Sequence, residues 1–314
     1  MADAALVRVI ADFEARQRRN RLAQEKRFAH AVSLCPALAE LENERLRLLF
    51  GPGADDAQAT GDALKELYIK RAGLLESAGL PKDYLEMAYR CPDCRDTGFV
   101  GNPVKTRCAC FVRRLNEERY APNDKEILKN QSFENFDLGV FPNEIPPGSK
   151  TPQREYMRQL RDICLEYAKE FPENEKPNLL FYGNTGLGKT YLLNCITGCL
   201  LNRSFNVLRF SAFSLGEFCL QKHLGAGTDL SPLYGADLLV CDDLGSEPLY
   251  NNVTVEYFVS LFNERLLRAK HTIVATNLFP HEIQERYGER MVSRLLDAAH
   301  TRRFHLRGCD IRKY

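Results

Sequence analysis

The 314 residues carry 43 Lys or Arg against 42 Asp or Glu, a net charge of +1. That balance excludes a globally basic polyanion binder, so any nucleic-acid surface must be a local patch. The 44% apolar fraction, the length and the absence of an apolar run near the roughly 18 residues of a membrane span predict a cytoplasmic, two-domain protein with reduced thiols and no membrane partner.

Residues 1–50 read as helix. Leu6, Val9, Ile10 and Phe13 recur at helical spacing, as do Leu34, Leu38, Leu41 and Leu48, with Arg and Glu between them. The N-terminus turns charged too early for a secretory signal. Gly51-Pro52-Gly53 interrupts the pattern, and a further helix is expected over 62–76. The period is too short-lived for a coiled coil, so a small bundle with charged outer faces is expected. Such helices equally suit docking onto a partner helix.

Residues 91–110, CPDCRDTGFVGNPVKTRCAC, gather four of the 11 cysteines. In a reducing compartment this density means metal or redox chemistry, not disulfides. The spacing of Cys91 and Cys94 lets two sulfurs converge on one ion across a tight turn. Cys108 and Cys110 complete a tetrahedral set of soft ligands for Zn²⁺. Asp96-Thr97-Gly98 and Gly101-Asn102-Pro103 supply the turns. Four thiolates leave no open position for water, so the expected role is structural. A redox CxxC is the alternative, but no thioredoxin-like βαβ pattern surrounds it.

A mixed stretch runs to about Gly148, with 141–148 reading as loop. A helix over 154–170 leads into NLLFYG (178–183), VLRFS (207–211), DLLVCD (237–242), HTIVATN (271–277) and RFHLRG (303–308). Short apolar strands alternating with helical segments predict an α/β fold with a five-stranded parallel sheet covered on both faces.

Gly183, Asn184, Thr185, Gly186, Leu187, Gly188, Lys189 and Thr190 spell GxxxxGK[ST] between an expected strand and an expected helix. Glycines let the backbone wrap phosphate oxygens with its N–H groups pointing inward, and the helix N-terminus adds partial positive charge. Lys189 would reach the β- and γ-phosphates, and the Thr190 hydroxyl would ligate Mg²⁺. The strand 238–242 ends in Asp242 and Asp243, which would hold the Mg²⁺ through water and act as general base, respectively. Asn277, at another strand end, is placed to orient the attacking water, or simply starts a turn. Arg290 and Arg294 lie four apart on one helical face.

In this order and spacing, the glycine loop, the Asp242-Asp243 strand end, Ala275-Thr276-Asn277 and Ser293-Arg294-Leu295-Leu296 resemble an AAA+ P-loop NTPase over roughly residues 130–314. More narrowly they resemble the bacterial replicative helicase loaders of the DnaC/DnaI type and their relative, the IstB transposition ATPase. The resemblance implies ATP as nucleotide, Asn277 as sensor 1, Arg294 as the arginine finger acting in trans, and Arg312 as a second nucleotide-sensing arginine. It implies homo-oligomers when ATP is bound. With few residues beyond the last expected strand, the helical lid is expected to be absent. Asp243 stands where many AAA+ proteins have Glu, which implies modest hydrolysis.

The resemblance to the loaders further implies that the helix from Ala212 to about Leu224 lines a single-stranded DNA channel, with Phe213, Lys222 and His223 as candidate contacts; the alternative is an ordinary helix packed on the sheet. The basic cluster Arg302, Arg303, Arg307, Arg312 and Lys313 would bind phosphate backbone or form a solvated edge. The cysteine segment, with Asp83-Tyr84-Leu85-Glu86 just upstream, is similar to the zinc-bearing region of DnaI-like loaders, which docks onto the replicative helicase. The expected organisation is therefore 1–90, a helical partner-docking region; 91–125, a Cys₄ zinc-binding module; and 126–314, the AAA+ ATPase domain. The implied function is ATP-dependent loading of a replicative DNA helicase, with single-stranded DNA as a second partner. An IstB-like transposition ATPase, or a nucleotide-gated adaptor with little hydrolysis, are the alternatives.

Overall fold

The computed structural model describes residues 4–51, 57–250 and 253–313. The N-terminal part begins with α1 (Ala4–Leu34), α2 (Ala37–Phe50) and α3 (Ala57–Ser77). The expected single helical stretch over 1–50 is thus two helices, broken at Cys35-Pro36. Proline has no N–H to donate, and its ring disfavours helical backbone in the residue before it. Of the expected Gly51-Pro52-Gly53 break, Pro52 and Gly53 lie outside the described residues.

The cysteine segment follows, with the two-stranded β1 (Phe99–Val100) and β2 (Thr106–Arg107). The stretch read as mixed holds two helices, α4 (Ala109–Arg119) and α5 (Pro122–Asn130). Both are short, and their buried apolar residues are few: Phe111, Val112 and Leu115 in α4, Leu128 in α5. Pro122 at the start of α5 fits the first helical turn, where its missing N–H costs nothing.

The remaining elements alternate. They are α6 (Gln153–Glu170), β3 (Asn178–Tyr182), α7 (Lys189–Asn202), β4 (Val207–Ser211), α8 (Ala212–His223), α9 (Ser231–Gly235), β5 (Leu238–Leu244), α10 (Thr254–Leu267), β6 (His271–Thr276), α11 (Pro280–Tyr287), α12 (Glu289–Leu295) and β7 (Thr301–His305). The five long strands form one sheet in the order β4-β5-β6-β3-β7, and every neighbouring pair is parallel. The expected α/β fold with a five-stranded parallel sheet is the fold observed.

Period-2 alternation divides the sheet's side chains between two cores. Leu179, Phe181, Val240 and Ile273 pack with Leu160, Leu192 and Ile196 of α6 and α7. Leu180, Leu239, Cys241 and Val274 pack on the other face with Leu215, Phe258 and Met291 of α8, α10 and α12. Strands buried on both faces have no polar side to show, which is why they read as unbroken apolar runs. Truncating Leu239, fully buried, to alanine would cost about 2–5 kcal/mol.

The chain divides into two compact units. One is Ile10–Thr106, and the other is Met1–Val9 with Arg107–Tyr314. The first has a small core in which Ala31, Leu38, Leu75 and Leu85 are buried. Gln24 donates to the Leu85 carbonyl there, 3.3 Å, tying the long first helix to the segment after α3. The second unit contains the sheet and everything that surrounds the glycine loop. No helix among the described residues is long and apolar enough to cross a membrane.

Candidate functional site

The loop 183–188 leaves the end of β3 and enters α7 at Lys189. Gly183, Gly186 and Gly188 have φ of +132°, +73° and +87°, a region that costs an L side chain strain. Two of these glycines also admit a close neighbour. A Cβ on Gly183 would lie 2.2 Å from the Leu306 carbonyl oxygen, and one on Gly186 would lie 1.8 Å from Asp310 Oδ1. The loop borders a cavity of about 560 Å³, lined also by Gln131, Asp242, Asp243, Asn277 and Arg312.

Lys189 is 8% exposed and folds back over its own loop. Its Nζ donates to the carbonyls of Gly183 and Asn184, each 2.7 Å, and to Asn277 Oδ1, 2.8 Å. Burial pushes its pKa down to about 8, against the opposing pull of Asp243 and Asp242; the positive charge of Arg312 lowers it further. Thr190 donates its hydroxyl to Asp242 Oδ1, 3.2 Å. The expected pair of oxygen ligands for Mg²⁺, a hydroxyl and a carboxylate, therefore sits together, and this hard-oxygen donor set suits the ion.

Asp243 follows a break in the regular pairing of β5 with β6 between Cys241 and Leu244. Its φ of +56° is left-handed, a conformation aspartate tolerates better than most residues. The bulge turns Asp243 out to accept from Asn277 Nδ2, 2.8 Å, while Asp242 stays buried. Asn277 thus touches both Lys189 and Asp243, linking the loop to the acidic strand end.

Among the sequence candidates, the structure brings Lys189, Thr190, Asp242, Asp243, Asn277 and Arg312 to one cavity. Arg312 forms a bidentate pair with Asp310, with Nε to Oδ1 at 2.9 Å and Nη2 to Oδ2 at 2.8 Å. Arg294 is not at this cavity. Its Nε donates to Asn263 Oδ1, 2.8 Å, and it lines a separate cavity of about 600 Å³ with Glu256, Glu289 and Arg290. Phe213 and Lys222 are exposed on α8, and the His223 ring meets Tyr257 edge-on at 6.4 Å. Of the basic cluster, Arg302 lies over the Phe304 ring and Arg307 donates to His305 Nδ1.

Two contributors escaped the sequence reading. Arg209, on the neighbouring strand β4, pairs with Asp242 Oδ2 at 2.9 Å. Its signal was an arginine inside the apolar run VLRFS. Gln131 lines the cavity and accepts from Asn194 Nδ2, 2.6 Å. Nothing local in the sequence marks it.

The four sulfur-bearing side chains of Cys91, Cys94, Cys108 and Cys110 bring their Sγ atoms within 4.8 Å of one another. A tetrahedral ion with S ligands at about 2.3 Å would set them about 3.8 Å apart, so this all-thiol donor set fits zinc with a small contraction. Cys94 and Cys108 are buried, and the Gly98 N–H donates to Cys94 Sγ at 3.4 Å. Asp96, 1% exposed, holds the turn that carries Cys91 and Cys94. Its carboxylate accepts from the N–H groups of Arg90 and Cys91, each 3.0 Å, and from Asn20 Nδ2, 2.9 Å. Cys195 and Cys219, in the sheet's two cores, behave as apolar groups: burial pushes each up to about 12.

Residues 158–300 match the family described as the bacterial DnaA ATPase domain. The chain is 30% identical over 138 residues, 42% of its length, to the chromosomal replication initiator protein DnaA of Aquifex aeolicus strain VF5, and it spans only 34% of that relative. Among solved structures, it is 20% identical to the DnaC helicase loader, covering 57% of this chain and 98% of that one at a TM-score of 0.46. It is also 20% identical to DnaI, covering 61% and 94% at a TM-score of 0.44. The matched stretch carries the glycine loop, both strand-end aspartates and Asn277, and it is similar to the ATPase domain of bacterial DnaA.

Proposed function

We propose that this chain is an ATP-dependent loader of a replicative DNA helicase, acting in the cytoplasm. Residues 1–90 dock onto the helicase, the module 91–125 is held in shape by Zn²⁺ on its four cysteines, and residues 126–314 bind ATP and single-stranded DNA. The observation that supports this best is the meeting of Lys189, the Thr190–Asp242 pair and the Asn277–Asp243 pair at one cavity. Phosphoryl transfer asks the protein for positioning and charge stabilisation, and those groups supply both.

In this reading the loop amides and Lys189 bind the β- and γ-phosphates of ATP, while Thr190 and Asp242 are the residues that hold Mg²⁺. Bound there, the ion would neutralise charge on the phosphate oxygens. Asp243 accepts the proton of the attacking water, and Asn277 orients that water from its place against Asp243. Arg294, exposed away from its own cavity, reaches the triphosphate of an adjacent subunit and makes turnover depend on assembly. Phe213, Lys222 and His223 contact single-stranded DNA by stacking and charge. The cysteine module favours the loader over an IstB-like ATPase, in whose relatives the chain generally goes straight into the ATPase.

Magnesium-ATP turnover of the wild type and of Arg294→Ala, each with and without single-stranded DNA, tests the ATPase half. The variant is expected to lose at least about tenfold. Unchanged turnover removes the trans role of Arg294, and ATP binding without turnover in the wild type makes the chain a nucleotide-gated adaptor. Capture with the full chain as bait tests the partner. Recovery of a hexameric helicase supports loading, whereas recovery of a transposase supports the IstB-like alternative.

A further inference from the structure

Residues 308–313 carry Ile311 and Arg312 to the wall of the cavity beside the glycine loop. The Arg312 side chain is 66% exposed, so no packing fixes where it points; its location depends on how the backbone beneath it is anchored. One anchor is buried. Gln153, 2% exposed at the start of α6, accepts the Cys309 N–H on Oε1 at 2.9 Å and donates from Nε2 to the Cys309 carbonyl at 3.1 Å. A carboxamide has one acceptor and one donor end, so it holds both backbone groups of Cys309 at once.

The neighbouring residues are shaped around this clamp. Gly308 has φ of +134°, and a Cβ there would lie 2.1 Å from Gln153 Cδ. Only glycine lets the chain pass so close. Beyond the clamp, the Ile311 N–H donates to the Gly186 carbonyl at 3.0 Å, joining the turn to the glycine loop itself. Asp310 packs against Gly186 where a Cβ would collide, and its carboxylate receives the Arg312 backbone N–H at 3.0 Å as well as the guanidinium. A continuous chain of contacts thus runs from Gln153 through Cys309 and Asp310 to Arg312.

We propose that Gln153 is a positioning residue for nucleotide binding: by clamping Cys309 it fixes the turn that presents Arg312 to the triphosphate. This rests on the reading of the cavity as an ATP site. Gln153 touches no nucleotide in this scheme, and its effect passes entirely through Arg312.

The test is the dissociation constant of a fluorescent ATP analogue for the full chain. It is measured in the wild type, Gln153→Met, Arg312→Ala and the double variant, with Gly308→Ala alongside. Gln153→Met keeps the volume and removes both hydrogen bonds, and is expected to weaken binding about tenfold, as is Arg312→Ala. The double variant should bind no more weakly than Arg312→Ala alone, because one loss acts through the other. Gly308→Ala should follow Gln153→Met.

A purely structural glutamine would instead give losses that multiply in the double variant, and that result overturns the positioning role. So does wild-type affinity in Gln153→Met. Gln153→Glu sets a carboxylate oxygen against the Cys309 carbonyl in a buried site, so it should weaken binding at least as much as Gln153→Met; unchanged affinity there overturns the proposal even if Gln153→Met fails to fold. A wild type without affinity for the analogue in magnesium overturns the nucleotide reading itself, a different outcome from wild-type binding that the variants leave untouched.

Discussion

The cysteine cluster and the cavity at the glycine loop solve the same problem, holding chemically demanding groups in a fixed array, by opposite means. The cluster takes all four thiols from residues 91–110, with the turn at Arg90 and Cys91 pinned by the Asp96 carboxylate. The cavity takes its groups from a loop at 183–190, a strand end at 242–243, another at 277 and a turn at 310–312. Only a parallel sheet, whose strands all end on one side, brings such distant residues together. The cluster therefore has its structure to lose when a side chain is removed, while the cavity has its chemistry to lose.

Substitution should separate the two along that line. Cys94→Ser is expected to abolish stoichiometric zinc, measured by atomic emission on the purified protein. Structural zinc sites carry on the order of 10 kcal/mol of apparent binding free energy, and a four-ligand site does not survive a missing thiolate. Proteolysis should then cut within 91–110 while ATP affinity stays within about twofold. Zinc retained in full would break the assignment, and collapse of ATP affinity would break the contrast.

Lys189→Ala should do the reverse. Among the described residues the Lys189 ammonium bonds to two loop carbonyls and Asn277, so thermal stability should hold. Turnover should fall about a hundredfold or more, as expected for a group that binds the transferring phosphoryl. Turnover near the wild-type value would sink the nucleotide site.

The smallest effect, and the most diagnostic, is in pH. Burial holds Lys189 down to about 8, so in the free protein the ammonium is present below that pH and lost above it. A polyphosphate binds the charged form. ATP affinity should be flat below pH 8 and fall by up to about tenfold per unit above it. Stability should move the other way: the unfolded chain binds the extra proton between pH 8 and the ordinary 10.5, so the fold gains as pH rises through that window. Titrations and denaturation curves from pH 7 to 10 read both. Affinity independent of pH across that range would show that Lys189 does not meet the nucleotide.

The inner strands β3, β5 and β6 were legible because both faces are buried, leaving short apolar runs between helices, and the outer strands β4 and β7 by their place in the same alternation. The glycine loop and the four cysteines were legible because their chemistry demands fixed residue types at fixed short spacings. Helices α4 and α5 were not, since α4 is short and α5 buries only Leu128, too little for a helical face to stand out from the charged residues around it. Arg209 could have been suspected as a charge within a core strand, but its partner lies on another strand. Gln153 looked like any polar residue at a helix start.

What the sequence by itself determined is everything that rests on neighbours along the chain: the glycine loop, the acidic strand end, the thiol quartet and the α/β alternation. Hydrogen-bond reach, metal coordination and side-chain periodicity all act over a few residues, so they leave a local trace. What only the tertiary structure decided is which distant groups share a cavity. It set Asn277 between Lys189 and Asp243, paired Arg209 with Asp242, put Arg294 elsewhere and hung Arg312 from a buried glutamine. Those contacts follow from strand order, the β5 bulge and the packing of α6, and such long-range choices have no signature in any short stretch of residues.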